Sequence, residues 1–90
     1  MNINREEIFD AIVKERERQD QLHPIQLLKS EKTTDASILK NYFFGTEMLA
    51  ILVEEVGEVG SALQGDGVLE DELIQVASVC VRWLENNKSI

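Results

Sequence analysis

The chain is expected to be all-α: a helical bundle of three main helices plus one or two short ones, completed by oligomerisation. Three observations predict this. Apolar residues recur at intervals of three and four along most of the chain, which is the helical period, and not at the interval of two that a half-buried strand requires. The residues Val53, Val56, Val59, Val76, Val79 and Val81 favour strands by propensity, yet they follow the same helical spacing. Finally, 90 residues with 43% apolar composition make one small domain, spanning residues 1–90. Three helices with wide apolar stripes leave an open side, and pairing into a dimer or tetramer covers it.

The first helix is expected over Asn4–Gln21. Asn4 is its N-cap, and Glu6 and Glu7 lie in the first turn, where acids complement the helix dipole. Ile8, Phe9, Ile12 and Val13 give a short apolar face, and the run Glu15-Arg16-Glu17-Arg18-Gln19-Asp20 reads as a solvated end with near-neighbour ion pairs. Pro24 disfavours helix at His23. Residues 23–34 read as a loop, folded back onto the core by Ile25, Leu27 and Leu28. Thr34 or Asp35 caps the next segment, and Gly45 divides a short helix at Ser37–Phe44 from a longer one at Thr46–Gln64. Gly65-Asp66-Gly67 is the clearest break, and the last helix runs from about Val68 to Asn86.

Composition narrows the function. There are 17 acids against 9 bases, for a net charge of -8. Nucleic-acid and anionic-membrane binding need a basic face, so neither is expected; a cation-binding role suits the balance. Cys80 is the only cysteine, which excludes an internal disulfide, and it reads as a small core residue. The first residues lack a basic start and an apolar run, and the longest uncharged apolar stretch, Met48 to Val53, is too short to span a bilayer. A cytoplasmic location is expected.

Two acidic clusters carry the chemistry. One is Ile51-Leu52-Val53-Glu54-Glu55-Val56-Gly57-Glu58-Val59, the other Leu69-Glu70-Asp71-Glu72-Leu73-Ile74-Gln75-Val76. Turning each segment by about 100° per residue puts Leu52, Val56, Val59 and Leu63 on one face, with Glu55 on the inward side and Glu58 at its edge. In the second segment the stripe is Leu69, Leu73, Val76, Ala77, Cys80 and Leu84, with Glu72 inside it. A buried carboxylate without a partner costs several kcal/mol, so inward acids are usually paired or bind metal. Glu55 and Glu58 are three apart, Glu54 reaches the same region from the outer side, and Glu72 and Gln75 repeat the spacing. Two crossing helices would gather these oxygens into one site for Mg²⁺, with Mn²⁺ as the alternative.

Glu54-Glu55-Val56-Gly57-Glu58, followed after a short loop by Glu72-Leu73-Ile74-Gln75-Val76, resembles the MazG-like all-α nucleoside triphosphate pyrophosphohydrolases, whose signature is E-E-x-x-E on one helix and E-x-x-D on the next. The resemblance covers about Thr46 to Glu85, and the segment Glu15–Asp20 looks like the opening helix of short phage and bacterial members. It implies a single MazG-like helical domain that splits nucleoside triphosphates into monophosphate and pyrophosphate with Mg²⁺. It makes Glu55, Glu58 and Glu72 metal ligands, and Glu54 a further ligand or the group that orients the attacking water. The family's last acid corresponds to Gln75, which offers a carbonyl oxygen without a charge.

Phosphate chemistry also needs positive charge. No Walker-type glycine loop is present, because Gly65-Asp66-Gly67 lacks the lysine and hydroxyl residue that follow in such loops. The available cations are Lys14, Arg16, Arg18, Lys29, Lys32, Lys40 and Arg82. Arg16 and Gln19, three apart on one side of the first helix, are the substrate-binding candidates. Trp83, Phe43 and Phe44 belong to the core or a subunit interface, and Gly57 and Gly60 mark close approach of another helix. The favoured function is Mg²⁺-dependent pyrophosphohydrolysis of a nucleoside triphosphate. The rivals are a catalytically silent MazG-like module that binds nucleotide, metal or a partner protein, and a purely structural helical oligomer with solvated acids.

Overall fold

The structure, a computed structural model, describes residues 4–22 and 35–87, with side chains from 44 onward in the second stretch. Among the described residues it is three helices and no strand: α1 Arg5–Leu22, α2 Asp35–Leu63 and α3 Leu69–Asn86. The segment 23–34, with His23, Pro24 and the expected fold-back of Ile25, Leu27 and Leu28, lies outside them, as do Lys29 and Lys32.

Helix α1 starts where the cap residue places it. The Glu7 backbone N–H donates to Asn4 Oδ1 at 2.9 Å, satisfying one of the open donors of the first turn. Helix α2 corrects the expected division at Gly45, because it is continuous for 29 residues. A helical glycine costs only about 1 kcal/mol relative to alanine, and packing overrides it. At Gly45 the packing partner is visible: a Cβ built there would meet Trp83 Cζ2 at 3.6 Å. No separate short helix remains among the described residues.

The break after α2 is a Schellman ending. The Asp66 N–H donates to the Ser61 carbonyl and the Gly65 N–H to the Ala62 carbonyl, each at 3.0 Å. Gly65 has φ 94° and Gly67 φ 122°, a backbone region that side chains disfavour, so both turn positions need glycine. The turn folds α3 back along α2, bringing Trp83 to Gly45. Helix α1 runs in the same direction as α3: Ala11 and Lys14 share a cleft with Asp71, while Arg16 reaches Glu85.

Among the described residues, helices α1 and α2 each pack on α3 and not on one another, so α3 is the middle of the three helices. Its centre is Ser78, fully buried, with Val79 beside it; Met48 of α2 is buried too and shares a cleft lining with Val79. A small residue at the centre lets two helices approach α3 from either side, and the Ser78 hydroxyl is satisfied by donating to the Ile74 carbonyl at 2.7 Å. The buried face of α3 is therefore rotated from the expected stripe. Leu73 and Leu84 are exposed, Leu84 by 76%, and on α2 Val56 and Leu63 are exposed, Leu63 by 69%. The expected stripe on α3 leaves out Ser78, whereas the packing is centred on it. Cys80 is a half-buried free thiol. Gly57 and Gly60 have nothing within 4 Å of a built Cβ, so no helix among the described residues approaches them. No helix among the described residues is long and apolar enough to cross a membrane.

Candidate functional site

Glu55 of α2 lies within electrostatic reach of Glu72 of α3 across the hairpin. Glu55 is half-buried, and its carboxyl is held above the ordinary carboxylate range. Burial is the first cause, followed by the like charges of Glu72, Glu54, Glu58 and Glu15 in that order. The strongest neighbouring charge therefore comes from the other helix. Glu72 is half-buried and lies against the turn, its Oε1 3.7 Å from a Cβ built at Gly67. Glu54 and Glu58 are exposed, and Gln75 is half-buried. As they stand, no three His, Cys, Asp or Glu side chains among the described residues are close enough to hold a metal ion.

A cleft of about 400 Å³ opens beside Glu55, lined also by Arg18, Gln19, Met48, Ile51, Gln75, Val79 and Arg82. All three helices contribute to it. Its lining combines the side-chain oxygens of Glu55, Gln19 and Gln75, the guanidinium groups of Arg18 and Arg82, and the apolar side chains of Met48, Ile51 and Val79. Hard oxygen donors suit Mg²⁺, and a cation would relieve the crowding of negative charge around Glu55. Arg82 is half-buried, and its guanidinium is held below its ordinary value, first by burial and then by Arg16. A second cleft of about 450 Å³ lies between α1 and α3, lined by Ala11, Lys14, Glu15, Arg18, Asp71, Ile74 and Gln75.

The two substrate candidates on α1 have different surroundings. Arg16 is only 6% exposed and its guanidinium is engaged: Nε donates to Glu85 Oε1 at 2.8 Å, Nη2 to Asp20 Oδ1 at 2.9 Å, and Nη1 to Gln19 Oε1 at 3.2 Å. The bond to Glu85, more than any other contact, holds this guanidinium above its ordinary value. Arg16 thus ties α1 to the C-terminal end of α3 and does not line the cleft. Gln19, equally buried, does line it. The cation of α1 at the cleft is Arg18, two residues beyond Arg16.

Glu15 is the residue that the sequence reading left in the solvent. Its side chain is only 11% exposed. It accepts from Arg18 Nε at 2.7 Å and Nη2 at 2.7 Å and from Gln19 Nε2 at 3.5 Å, and Gln75 lines the same cleft. These bonds, that of Arg18 foremost, hold its carboxyl below the ordinary range against the opposing effect of burial. The signal available in sequence was the three-residue spacing from Glu15 to Arg18, which is also the spacing of an ordinary exposed pair. No family model, curated protein or solved structure matches this chain.

Proposed function

We propose that the chain is a Mg²⁺-dependent nucleoside triphosphate pyrophosphohydrolase of MazG-like type, which releases nucleoside monophosphate and pyrophosphate and works as a dimer or tetramer. The observation that carries this reading is the position of Glu55. It feels acids from both α2 and α3 and lines a cleft that also presents Arg18, Gln19 and Arg82. That is the pairing of charges a metal–triphosphate complex requires, oxygens for the cation and guanidinium groups for the phosphates.

In this reading Glu55, Glu58 and Glu72, with the carbonyl oxygen of Gln75, hold the cation. Bound Mg²⁺ would supply charge neutralisation of the triphosphate and a template for the attacking water. Arg18 and Arg82 donate to phosphate oxygens, and Gln19 donates to the substrate from the cleft wall. Glu54, exposed beside Glu55, orients the water and receives its proton. The apolar wall of Met48, Ile51 and Val79 accommodates the nucleobase. No covalent protein nucleophile is needed, because positioning and charge stabilisation supply most of the catalysis in phosphoryl transfer. The exposed apolar row along α2 and α3 is the surface through which the chain self-associates.

A second reading is favoured by two specific observations. Gln75 lacks the charge of the acid that MazG-like proteins carry there, and the acids are not gathered to ligating distance as they stand. Both suit a module that binds nucleotide or metal without turnover. A pyrophosphate-release assay across standard and damaged nucleoside triphosphates, with Mg²⁺ and with Mn²⁺, separates the two. Metal-dependent release that is lost in Glu55→Gln supports the enzyme. Nucleotide binding with no release from any substrate supports the silent module.

A further inference from the structure

We infer that Glu15 is a positioning residue that clamps the guanidinium of Arg18 at the main cleft, so that Arg18 meets the oxyanions of a polyphosphate in a set orientation. The inference rests on the reading of that cleft as a polyphosphate site and names the residue that prepares one of its donors.

Arg18 lines both clefts, whereas Glu15 lines the one between α1 and α3 and not the one that holds Glu55. The contact between the two side chains is a fork. Arg18 Nε donates to Glu15 Oε1 at 2.7 Å and to Oε2 at 3.2 Å, and Nη2 donates to Oε2 at 2.7 Å. Paired charge-assisted bonds of this kind fix the plane of a guanidinium as well as its place. The fork takes one edge of the group and leaves the Nη1 hydrogens and the second Nη2 hydrogen for a further acceptor.

The Glu15 side chain is 11% exposed and that of Arg18 54%, so the sequestered partner anchors the open one. An open arginine without an anchor samples many rotamers, and a ligand that must order it loses affinity to that ordering. The fork does the ordering before any ligand arrives. Gln19, the other α1 residue of the main cleft, is set chiefly by Arg16: its oxygen accepts from Arg16 at 3.2 Å, and its contact with Glu15 is the longer one at 3.5 Å. The influence of Glu15 on the main cleft therefore runs through Arg18.

Charge alone predicts the reverse of positioning. An acid near an anion site repels the ligand. Removing the Glu15 charge should tighten binding if the residue only repels, and weaken it if the residue aligns Arg18. The test is calorimetric binding of inorganic tripolyphosphate, at saturating Mg²⁺, to the purified full chain in a cycle of Glu15→Gln, Arg18→Lys and the double variant. Glutamine keeps the shape of Glu15 but puts an N–H donor at one end, which breaks the fork. Glu15→Gln should weaken tripolyphosphate binding about fivefold, a part of what a charge-assisted bond contributes. In the Arg18→Lys background the charge remains but no fork can form, so the same Glu15→Gln change should leave affinity unchanged or raise it. Tighter or unchanged binding in Glu15→Gln alone, or equal weakening in both backgrounds, would overturn the inference. If Glu15→Gln loses its helical circular dichroism, Arg18→Lys decides from the other side of the contact: it should weaken tripolyphosphate about as much, and unchanged affinity would overturn the inference. A wild-type chain that binds no tripolyphosphate contradicts the polyphosphate reading and this inference together. Wild-type binding that Glu15→Gln leaves intact contradicts this inference alone.

Discussion

At the scale of single residues, the account turns on Glu55, whose carboxyl is penalised when charged. In the metal-free folded protein it keeps its proton at pH values where the unfolded chain has released it. Its contribution to stability is therefore full below the unfolded value and is lost as pH rises through the folded one. Glu55→Gln should raise the melting midpoint of metal-free protein at pH 7 by about 2–4 °C, equivalent to roughly 0.5 kcal/mol in a domain this size, while abolishing turnover. The gain should shrink as pH falls through the carboxylate range, and a thermal scan at several pH values checks it. Glu15 has the opposite sign. Its contribution is present above the ordinary carboxylate value and is lost as pH falls through its lowered one. Arg16→Ala should cost about 2 kcal/mol in urea unfolding, because it removes two ion pairs and leaves Gln19 with a broken contact. The half-buried positions of Glu55 and Glu72 were legible in sequence, because each stands among apolar neighbours at helical spacing; Glu54 and Glu58 are exposed. The position of Glu15 was not legible, because its run on α1 is wholly polar. The buried side of that helix is made by Arg16 and Gln19, while Phe9 and Val13 face outward.

At the scale of elements, the glycines separate local cost from packing. Gly57→Ala and Gly60→Ala should each stabilise the isolated chain by about 0.5–1 kcal/mol, since the added methyl meets open space and helix propensity improves. If a second subunit packs closely on this stretch of α2, the same changes should weaken association, so unfolding and sedimentation read on the same variants report both effects. Gly65→Ala should destabilise by about 1 kcal/mol, because its positive φ ends α2. The N-cap at Asn4 and the Gly65–Gly67 turn were readable from residue type because both are local devices. The continuity of α2 through Gly45 was not, since it depends on Trp83, nearly 40 positions later in the chain. The exposed faces of Leu73 and Leu84 have the same origin: period identifies a stripe, but only the arrangement of neighbours says which stripe is covered.

At the scale of the whole molecule, an arrangement with α3 in the middle has little interior. The buried hydrophobic residues among those described are Met48 and Val79, and a long row of valine and leucine side chains on all three helices stays exposed. Isolated small proteins rarely leave such faces uncovered. Sedimentation at micromolar concentration should show a dimer or tetramer, and a stable monomer would argue against self-association. The central claim is that the acids of α2 and α3 hold a divalent cation for cleavage between the α and β phosphates. It is tested most directly by ³¹P NMR of the products formed from a nucleoside triphosphate in the presence of Mg²⁺. The account predicts monophosphate and pyrophosphate in equal amounts from the wild-type chain, and neither from Glu55→Gln or from metal-free protein. Release of orthophosphate, or product formation that persists without metal or without Glu55, would contradict it.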